Sequence, residues 1–306
     1  MSRGVHRFAL LVAVATFFLI IAGANVTSHD AGLATSDWPL SNGQFFPKMV
    51  GNLFWEHGHR LVAASVGLLT IALAFYLQFR EQRSWVKRIG WIALGLVIVQ
   101  GLLGGLTVKL NLPLAVSAAH ATLAQLFFLT TVSLAVVTSR GWIAAEANIA
   151  ERASVSSRAF CVASLVVILA QLVLGATLRH SATWDRPLPS GLLVAHITGA
   201  VIVTLVLGLT AATVLLRYRG ERFLTRPATV AIGLLFVQLM LGLAAYITRA
   251  ASPKGPQPLN PMIAVTVAHV ACGALVFAAT IVLTLRVFRS VRVERQPRDL
   301  GVLAPA

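Results

Sequence analysis

Apolar residues run along this chain in eight long stretches separated by short polar segments. The stretches cover approximately 8–26, 59–79, 89–108, 115–137, 160–178, 191–215, 228–247 and 262–285. About 20 apolar residues are enough for a helix to cross a bilayer, and no stretch alternates with the period of two that a membrane strand requires. The pattern therefore predicts an all-α integral membrane protein with eight transmembrane helices.

The distribution of charge predicts the orientation of these spans. Only 11% of the 306 residues are charged, against about 25% in a soluble domain. In a soluble protein the net charge of +15 would indicate a nucleic-acid partner. Here most Lys and Arg residues precede the first span, follow the even-numbered spans or lie in the C-terminal tail. The positive-inside rule places these segments and both termini in the cytoplasm of a plasma (inner) membrane protein, and nucleic acid is not expected as a partner.

The odd-numbered spans repeat a short polar pattern. The third, fifth and seventh spans each contain Gln-x-x-x-Gly near the end, at Gln100 and Gly104, Gln171 and Gly175, and Gln238 and Gly242, and the first has a weaker version around Gly23. Each run is followed by an external segment and a span that contains a histidine. The repeat predicts two pseudo-symmetric four-helix bundles, residues 1–140 and 141–306, related by an axis along the membrane normal.

Two interpretations of these repeated residues remain open. The Gln and Gly of each run share one helical face, so they can form a packing seam in which the Gln binds a neighbouring helix. Alternatively, the glycines let a flat macrocycle approach the backbone. The cations at the outer ends of the same spans, Lys109, Arg179 and Arg249, either extend to the membrane interface or neutralise haem propionates.

Each even-numbered span contains one histidine toward its outer end: His59, His120, His196 and His269. An ionisable side chain inside a membrane is costly and indicates a functional site. One such histidine could serve an interhelical hydrogen bond, but four at matched depth in matched halves are hard to explain by packing. Neutral imidazole is an axial ligand of haem iron, and bundles build such sites from facing helices. The pattern predicts two bis-histidine iron sites near the external face, formed by the first two and the last two histidines.

The two halves differ beside their first histidine. The second span carries Glu56 three residues before His59, on the same helical face, and the sixth span has no carboxylate at the corresponding place. This asymmetry predicts that Glu56 is a catalytic group beside a substrate. The alternative is an interfacial carboxylate paired with Arg60. His57 points to a different face and is predicted to be structural.

The long first external loop, residues 27–55, is rich in Gly, Pro and aromatic residues. Loops of this length are usually functional or disordered, and the Trp and Phe content favours order. The run Asp37-Trp38-Pro39-Leu40 is predicted to cap the first site from outside.

These features together resemble the haem A synthase family. The resemblance is carried by Glu56-x-x-His59-Arg60, by the single histidines of the even-numbered spans and by the duplicated four-helix unit. The run from Gly23 to Thr27, with Ala-Gly-Leu and Trp-Pro-Leu after it, is similar to that family's first external loop. The resemblance covers roughly residues 8–285.

The resemblance implies an oxidoreductase that oxidises the C8 methyl group of haem O to a formyl by two successive hydroxylations, as part of cytochrome oxidase assembly. His59 and His120, with Arg60, would bind the substrate haem, and Glu56 would accept a proton or stabilise a carbocation at the methyl carbon.

The same resemblance assigns His196 and His269 to a permanent haem B, an iron cofactor that passes electrons. Expected partners are haem O, membrane lipid, an electron donor and a haem O synthase, and the sequence is compatible with a homo-oligomer.

Cysteine content sets this chain apart from some members of that family, which carry cysteine pairs in external loops. Cys161 and Cys272 lie inside predicted spans, at depths that differ by about 15 Å at the helical rise per residue, too far for a disulfide. The chain is therefore expected to belong with the cysteine-free branch.

A bis-haem b electron-transfer protein that oxidises quinol is the alternative function. Such proteins usually place their haems near opposite faces of the membrane, whereas all four histidines here map to one side.

Overall fold

The computed structural model describes residues 3–146, 149–151, 155–181, 188–251 and 259–293. Eight of its helices are long and apolar enough to cross a membrane: α1 (Arg3–Ser28), α2 (Asn52–Arg80), α3 (Ser84–Lys109), α4 (Leu114–Val137), α6 (Ser157–Ser181), α7 (Ser190–Arg217), α8 (Arg222–Ala250) and α9 (Asn260–Ser290). A short helix, α5 (Arg140–Ala144), follows α4. The predicted all-α class with eight spans is confirmed.

Neighbouring helices form a ring in each half of the chain. In the first half α1 contacts α2 and α4, and α3 contacts the same two helices. Helices α6, α7, α8 and α9 make the corresponding four contacts in the second half. Between the halves, α4 contacts α6, α1 contacts α9, and α4 contacts α9. A pseudo-twofold axis that exchanges α1 with α6 and α4 with α9 would convert the α4–α6 contact into the α1–α9 contact. The division of the chain at residue 140 stays a prediction.

Large apolar side chains lie on both the inside and the outside of these rings. Phe127 and Leu207 are almost fully buried, in the first and second half respectively. Leu68, Val166 and Leu205 are more than half exposed on the outer surface. In water such a surface would be unfavourable, but in a bilayer it contacts acyl chains, as the hydropathy of the spans requires.

The helices define two ends of the molecule. The basic end is the one where α1 begins and α9 ends, and the histidine end is the opposite one. At the histidine end α3 and α4 are joined by a tight turn in which Asn111 and Leu112 have positive φ angles of 58° and 56°. Leu112 N–H donates to the Thr107 carbonyl at 2.7 Å, and Pro113 begins the approach to α4. This turn fixes α4 antiparallel to α3.

A parallel pair of short strands closes the basic end of the second half. Strand β1 (Ile149–Glu151) pairs with β2 (Val291–Val293), which the sequence pattern did not predict because three residues are too few to show a period. The Glu151 carboxylate is 4% exposed and accepts hydrogen bonds from the Arg217 guanidinium at 2.7 Å and the Ser157 hydroxyl at 2.6 Å. Burial raises the pKa of Glu151, but these hydrogen bonds outweigh it and hold the pKa below its usual value.

The cysteines agree with the sequence prediction. Cys161 in α6 and Cys272 in α9 are both buried and free. The C-terminal tail after residue 293, with Arg295 and Arg298, lies outside the described residues, as does Arg152.

Glu151→Gln is expected to lower the free energy of unfolding by about 1–3 kcal/mol, because hydrogen bonds to a buried charged group are replaced by weaker neutral ones. Thermal unfolding in detergent micelles measures this difference. Because the folded pKa of Glu151 lies below the unfolded value near 4.5, the wild-type advantage should be present above that pH and disappear as the pH falls through the folded pKa. Glu146→Gln, at an exposed carboxylate, is the control, and a pH-independent difference would contradict the role of Glu151.

Candidate functional site

Each of the four histidine rings lies against a glycine of the preceding helix. A Cβ built on the glycine would come within 2.9–3.1 Å of an imidazole atom in the pairs Gly23 and His59, Gly104 and His120, Gly175 and His196, and Gly242 and His269. Any larger residue would force the ring to move. The repeated glycines therefore make room for imidazoles, which favours the packing-seam interpretation over a macrocycle lying on the glycine.

The repeated glutamines bind the helices that carry the histidines. Gln100 Nε2 donates to the His120 carbonyl at 3.1 Å, and Gln171 Nε2 donates to the His196 carbonyl at 2.9 Å. Both amides also lie within 3.3 Å of a ring nitrogen of the same histidine. The third amide, Gln238 Nε2, lies 3.2 Å from His269 Nε2. Each glutamine thus holds its histidine at a fixed height on the seam.

His59 is the exception among the four histidines. The position four residues before Gly23 is Leu19, so α1 offers no amide where α3, α6 and α8 offer one. Within the described part of the chain, the His59 ring contacts Gly23 but receives no hydrogen bond from a glutamine. The imidazole of His59 is therefore less constrained than the other three.

The two histidines of the second half are spaced as the ligands of one metal ion would be. The ring centroids of His196 and His269 are 6.5 Å apart, with an angle of 72° between the ring planes. Two metal–nitrogen bonds of about 2 Å and two ring radii of about 1.1 Å give a separation of about 6 Å. This separation matches that expected for two ligands of one iron atom, and joint ligation by His196 and His269 stays a prediction.

The donor set fits a haem better than a metal held by protein alone. Among the described residues, no group of three or more His, Cys, Asp or Glu side chains is positioned to hold a metal ion. A porphyrin supplies four nitrogen ligands and needs only two axial ligands from the protein. Nδ1 of His120 and Nδ1 of His269 are buried without a hydrogen-bond partner, so each half retains an imidazole nitrogen that is not engaged by the protein.

In the first half, the structure places His59 on the seam of α1 with α2 and His120 on the seam of α3 with α4. Both side chains are half-buried near the histidine end. Their joint ligation of one iron stays a prediction.

Glu56 lies at the start of α2 and binds the first external loop. Its carboxylate is 4% exposed, accepts a hydrogen bond from the Thr35 backbone N–H at 3.0 Å and forms an ion pair with Arg60. The interfacial pair that the sequence left as an alternative is therefore present. The catalytic role of Glu56 stays a prediction, and the same contacts hold its carboxylate in a fixed orientation.

Arg60 connects the same loop to α2. Its guanidinium donates to the Asp37 carbonyl at 2.9 Å and to the Leu40 carbonyl at 2.6 Å. His57 binds the loop with both ring nitrogens, to the Ser41 hydroxyl at 2.8 Å and the Phe45 carbonyl at 2.9 Å, in agreement with its predicted structural role. The start of α2 thus clamps the loop over the histidine end.

Asp37 shapes the loop itself. Its carboxylate accepts the backbone N–H groups of Gly43 at 2.8 Å and Asn42 at 2.9 Å and the Thr35 hydroxyl. The hydrogen bonds from Gly43 and Thr35 hold the pKa of Asp37 well below its usual range. Asp37 therefore remains ionised and stabilises the turn.

The other side of the loop lies on α3. The Trp38 indole rests on Gly105, where a Cβ would come within 2.8–3.0 Å of three ring atoms. Lys109 Nζ donates to the Ser36 carbonyl at 3.3 Å, and the Leu112 side chain packs on Gly32. The loop therefore spans α2 and α3, and its role as a cap of the first site stays a prediction.

Two of the predicted propionate contacts also bind protein groups. Lys109 binds the loop, and Arg179 donates to the Ser28 hydroxyl at 3.2 Å, which links α6 to the end of α1. A role of Lys109, Arg179 or Arg249 toward propionates stays a prediction.

Sequence reasoning missed the residues that seat the loop on α3. Gly105 directly follows the repeated Gly104. Two adjacent glycines indicate that a second group, besides the histidine ring, packs closely against the backbone at this turn of α3. The contact of Trp38 with this glycine joins two segments more than sixty residues apart, so only the fold reveals it.

Comparison with known proteins agrees with this architecture. The chain is a multi-span helical membrane protein with histidines at repeated helix seams. Residues 48–184 match a family described as cytochrome oxidase assembly protein. The matched part of the chain is similar to the haem A synthase family.

Individual relatives match over different lengths. A heme A synthase of Bacillus licheniformis is 28% identical over 144 residues, which are 44% of this chain and 45% of that protein. A heme A synthase of Lysinibacillus sphaericus is 22% identical over 272 residues, 81% of this chain and 87% of that protein. A protoheme IX farnesyltransferase of Haloarcula marismortui is 39% identical over 129 residues, 42% of this chain and 27% of that protein. In the first and third matches, the chain spans about half or less of its relative's length.

Arg60→Ala is expected to release the first external loop from α2, because it removes the hydrogen bonds to the Asp37 and Leu40 carbonyls. Amide hydrogen exchange of residues 35–45 should accelerate at least about tenfold, as local opening becomes easier. Lys48→Ala removes one positive charge from an exposed position of the same loop and should leave the exchange unchanged. Equal exchange in wild type and Arg60→Ala would show that the loop is held by other contacts.

Proposed function

We propose that this protein is a haem A synthase, which oxidises the C8 methyl group of haem O to a formyl by successive hydroxylations, with a bis-histidine haem B as electron-transfer cofactor. The observation that carries the proposal is the repetition of one histidine–glycine contact at four helix seams. The separation of His196 and His269 supports a haem in the second half, and the family supports the reaction.

Three differences between the halves support the first half as the substrate site. Glu56 and Arg60 correspond to Leu193 and Ile197 in the second half, so only the first half has the ion pair. The first half is covered by the clamped loop. His59 lacks the glutamine that restrains the other histidines. A substrate must be exchanged at each turnover whereas a cofactor stays, and the less constrained imidazole suits the site of exchange.

The chain's own residues would contribute as follows. His59 and His120 would hold the substrate iron, and Glu56 would act at the reacting methyl group. Each hydroxylation removes two electrons from the carbon. With water as the oxygen source, two protons are released and an acceptor takes the two electrons; with O2, two further electrons from a donor and two protons reduce the second oxygen atom to water. A carboxylate of fixed orientation can accept a proton released at the carbon, or stabilise positive charge that develops there. Arg60 would keep that carboxylate in place, and the loop would exclude water. The second hydroxylation gives a diol that loses water to leave the formyl group.

The second half would serve electron transfer. His196 and His269 would ligate haem B, which supplies one-electron chemistry when bound. Gln171 and Gln238 would hold these imidazoles rigidly. Rigid ligands suit a site of electron transfer, because the iron then changes its charge with little movement of the groups around it. Lys109, Arg179 and Arg249 would neutralise propionates at the histidine end.

The proposal extends to location and partners. By the positive-inside rule, the distribution of Lys and Arg supports a location in the plasma membrane, in which both termini would be cytoplasmic and both haem sites would lie toward the external side. A farnesyltransferase that makes haem O would supply the substrate, which the similarity to the Haloarcula marismortui protein supports. An electron donor is also required, and the fold is compatible with a homo-oligomer.

Protein expressed together with a haem O synthase is expected to yield haem B and haem A, or its hydroxylated intermediate, on acid-acetone extraction, identified by chromatography and mass. In Glu56→Gln, the amide oxygen can still accept from Thr35 N–H but the negative charge is lost. This variant should retain both haems and accumulate haem O, with haem A reduced by at least about a hundredfold.

Two outcomes would contradict these assignments. Haem B alone, at about two per chain, in the wild type would favour the quinol-oxidising electron-transfer protein. Normal haem A output from Glu56→Gln, with Glu81→Gln at the basic end as the control, would exclude the catalytic role of Glu56.

Gly104→Ala and Gly242→Ala are expected to remove one haem each. The new Cβ would lie 3.1 Å from Cε1 of His120 or 2.9 Å from Cε1 of His269, so the ring must leave its position. Gly104→Ala should lose the haem O-derived pigment and keep haem B, and Gly242→Ala should do the opposite, as measured by extraction and by the absorbance spectrum.

Gly95→Ala and Gly233→Ala provide matched controls for this pair. Each lies nine residues earlier in α3 or α8, and a Cβ at either position would meet no atom within 4 Å. Both controls should keep both haems. Retention of both haems in Gly104→Ala and Gly242→Ala would show that the glycine seams do not position the ligands.

A further inference from the structure

The seam of His59 differs from the other three in what it places beside the ring. In the seams of His120, His196 and His269, a glutamine amide nitrogen lies 3.1–3.3 Å from a ring nitrogen. At the corresponding place α1 carries Leu19, a half-buried side chain that packs against the apolar core of the first half. Among the described residues, no group forms a hydrogen bond with the His59 ring. Within that part of the chain, three rings therefore have a polar restraint that the fourth lacks.

A second position changes together with the glutamine. In the second half, Gln171 lies against Gly199 of α7, where a Cβ would overlap the amide oxygen. Alignment of the two halves on their histidines places Val62 at the position of Gly199. The pair Gln171 and Gly199 thus corresponds to the apolar pair Leu19 and Val62. The seam of His59 therefore lacks both the amide and the space that an amide needs.

The orientation of the rings follows this difference. For the three histidines that have a glutamine, Cε1 is the atom nearest to a Cβ built on the glycine, at 2.9–3.1 Å, whereas for His59 the nearest atom is Nε2, at 2.9 Å. A half-turn of an imidazole interchanges these two atoms, and hydrogen-bond partners decide between the two orientations. Beside a glutamine, only one orientation presents a nitrogen to the amide. Beside Leu19, both orientations fill the same space, so the seam does not fix the His59 ring.

A ring that the protein does not restrain leaves a metal more easily. Outer groups that orient a ligating histidine contribute about 10- to 100-fold to metal affinity. Under the proposed function, haem B stays in the second half through many turnovers, whereas haem O must enter the first half and haem A must leave it. Release of a haem that is held by two histidines begins with the loss of one of them. His59 is the ligand that can be lost, since Gln100 holds His120.

We propose that Leu19 and Val62 make His59 the exchangeable axial ligand, so that this pair of positioning residues determines which half of the protein releases its haem. The inference rests on the proposed function. His120 would keep the haem attached on one side, because Gln100 binds both its ring and its carbonyl, and His59 would open on the other side. In the second half glutamines hold both ligands, so the haem would stay.

The test exchanges the two pairs between the halves. Leu19→Gln/Val62→Gly gives the first half the pair of the second, and Gln171→Leu/Gly199→Val does the reverse. Each protein is expressed with a haem O synthase and purified with its haems. Apomyoglobin, which captures released haem, is then added in excess, and the haem that remains on the protein is extracted and identified at successive times. Haem O and haem A report on the first half, and haem B reports on the second.

A second measurement follows the axial ligand without turnover. Carbon monoxide binds ferrous haem only at a free coordination position, so a haem with two histidine ligands reacts at the rate at which one histidine leaves. Absorbance after mixing the reduced protein with carbon monoxide gives this rate. The wild type should contain one reactive haem and one that reacts at least about tenfold more slowly.

Leu19→Gln/Val62→Gly is expected to release haem O and haem A at least about tenfold more slowly than wild type, and its reactive haem should bind carbon monoxide more slowly by a similar factor. Gln171→Leu/Gly199→Val should release haem B at least about tenfold faster. Gln171→Met removes the amide and keeps nearly the same side-chain volume. It should act in the same direction as the reverse exchange, and it replaces that variant if the latter does not fold.

Leu11→Gln is the control, because it places the same amide about two turns earlier in α1 on a side chain that is 51% exposed toward lipid. Its release rates should equal those of the wild type. Equally slow release in this control and in Leu19→Gln/Val62→Gly would assign the effect to any amide in α1 and would overturn the proposal. Unchanged release and unchanged carbon monoxide binding in the exchange variants and in Gln171→Met would overturn it as well. Failure of the proposed function looks different: the wild type would then contain no haem O or haem A, and carbon monoxide binding to haem B would still test the two pairs.

Discussion

The contact between an imidazole ring and a glycine of the neighbouring helix is the constraint on which the arrangement of this bundle depends. A histidine inside a membrane is costly unless its polar atoms find partners, and its ring needs room that two packed helices normally do not leave. The glycine provides the room, and the glutamine one turn earlier on the same face binds the helix that carries the ring. The helices that bear glycine and histidine are therefore held in register with each other at the seams of His120, His196 and His269, whereas His59 has the glycine contact alone.

The two halves of the chain differ at positions where, under the proposed function, their tasks would differ. Where three seams have glutamine, the seam of His59 has Leu19. Among the described residues, the Glu56–Arg60 pair and the clamped loop lie in this half. A cofactor site benefits from rigid ligands, whereas a site that exchanges its occupant needs a ligand that can move and a cover that controls water. Under the proposed function, the same four-helix ring would support two kinds of haem site with changes at only a few positions.

The spans and the histidines could be predicted from the sequence because the bilayer dictates them. A helix must be about 20 apolar residues long, and a histidine within it stands out against an apolar background. The sequence revealed the repeated glycines but not that imidazole rings pack against them. A glycine shows that a side chain is missing at its position, and it does not show which residue fills that space. The clamp of Arg60 on the Asp37 and Leu40 carbonyls could not be predicted either, since any residue provides a carbonyl. Likewise, Trp38 meets Gly105 only because the loop folds back over α3.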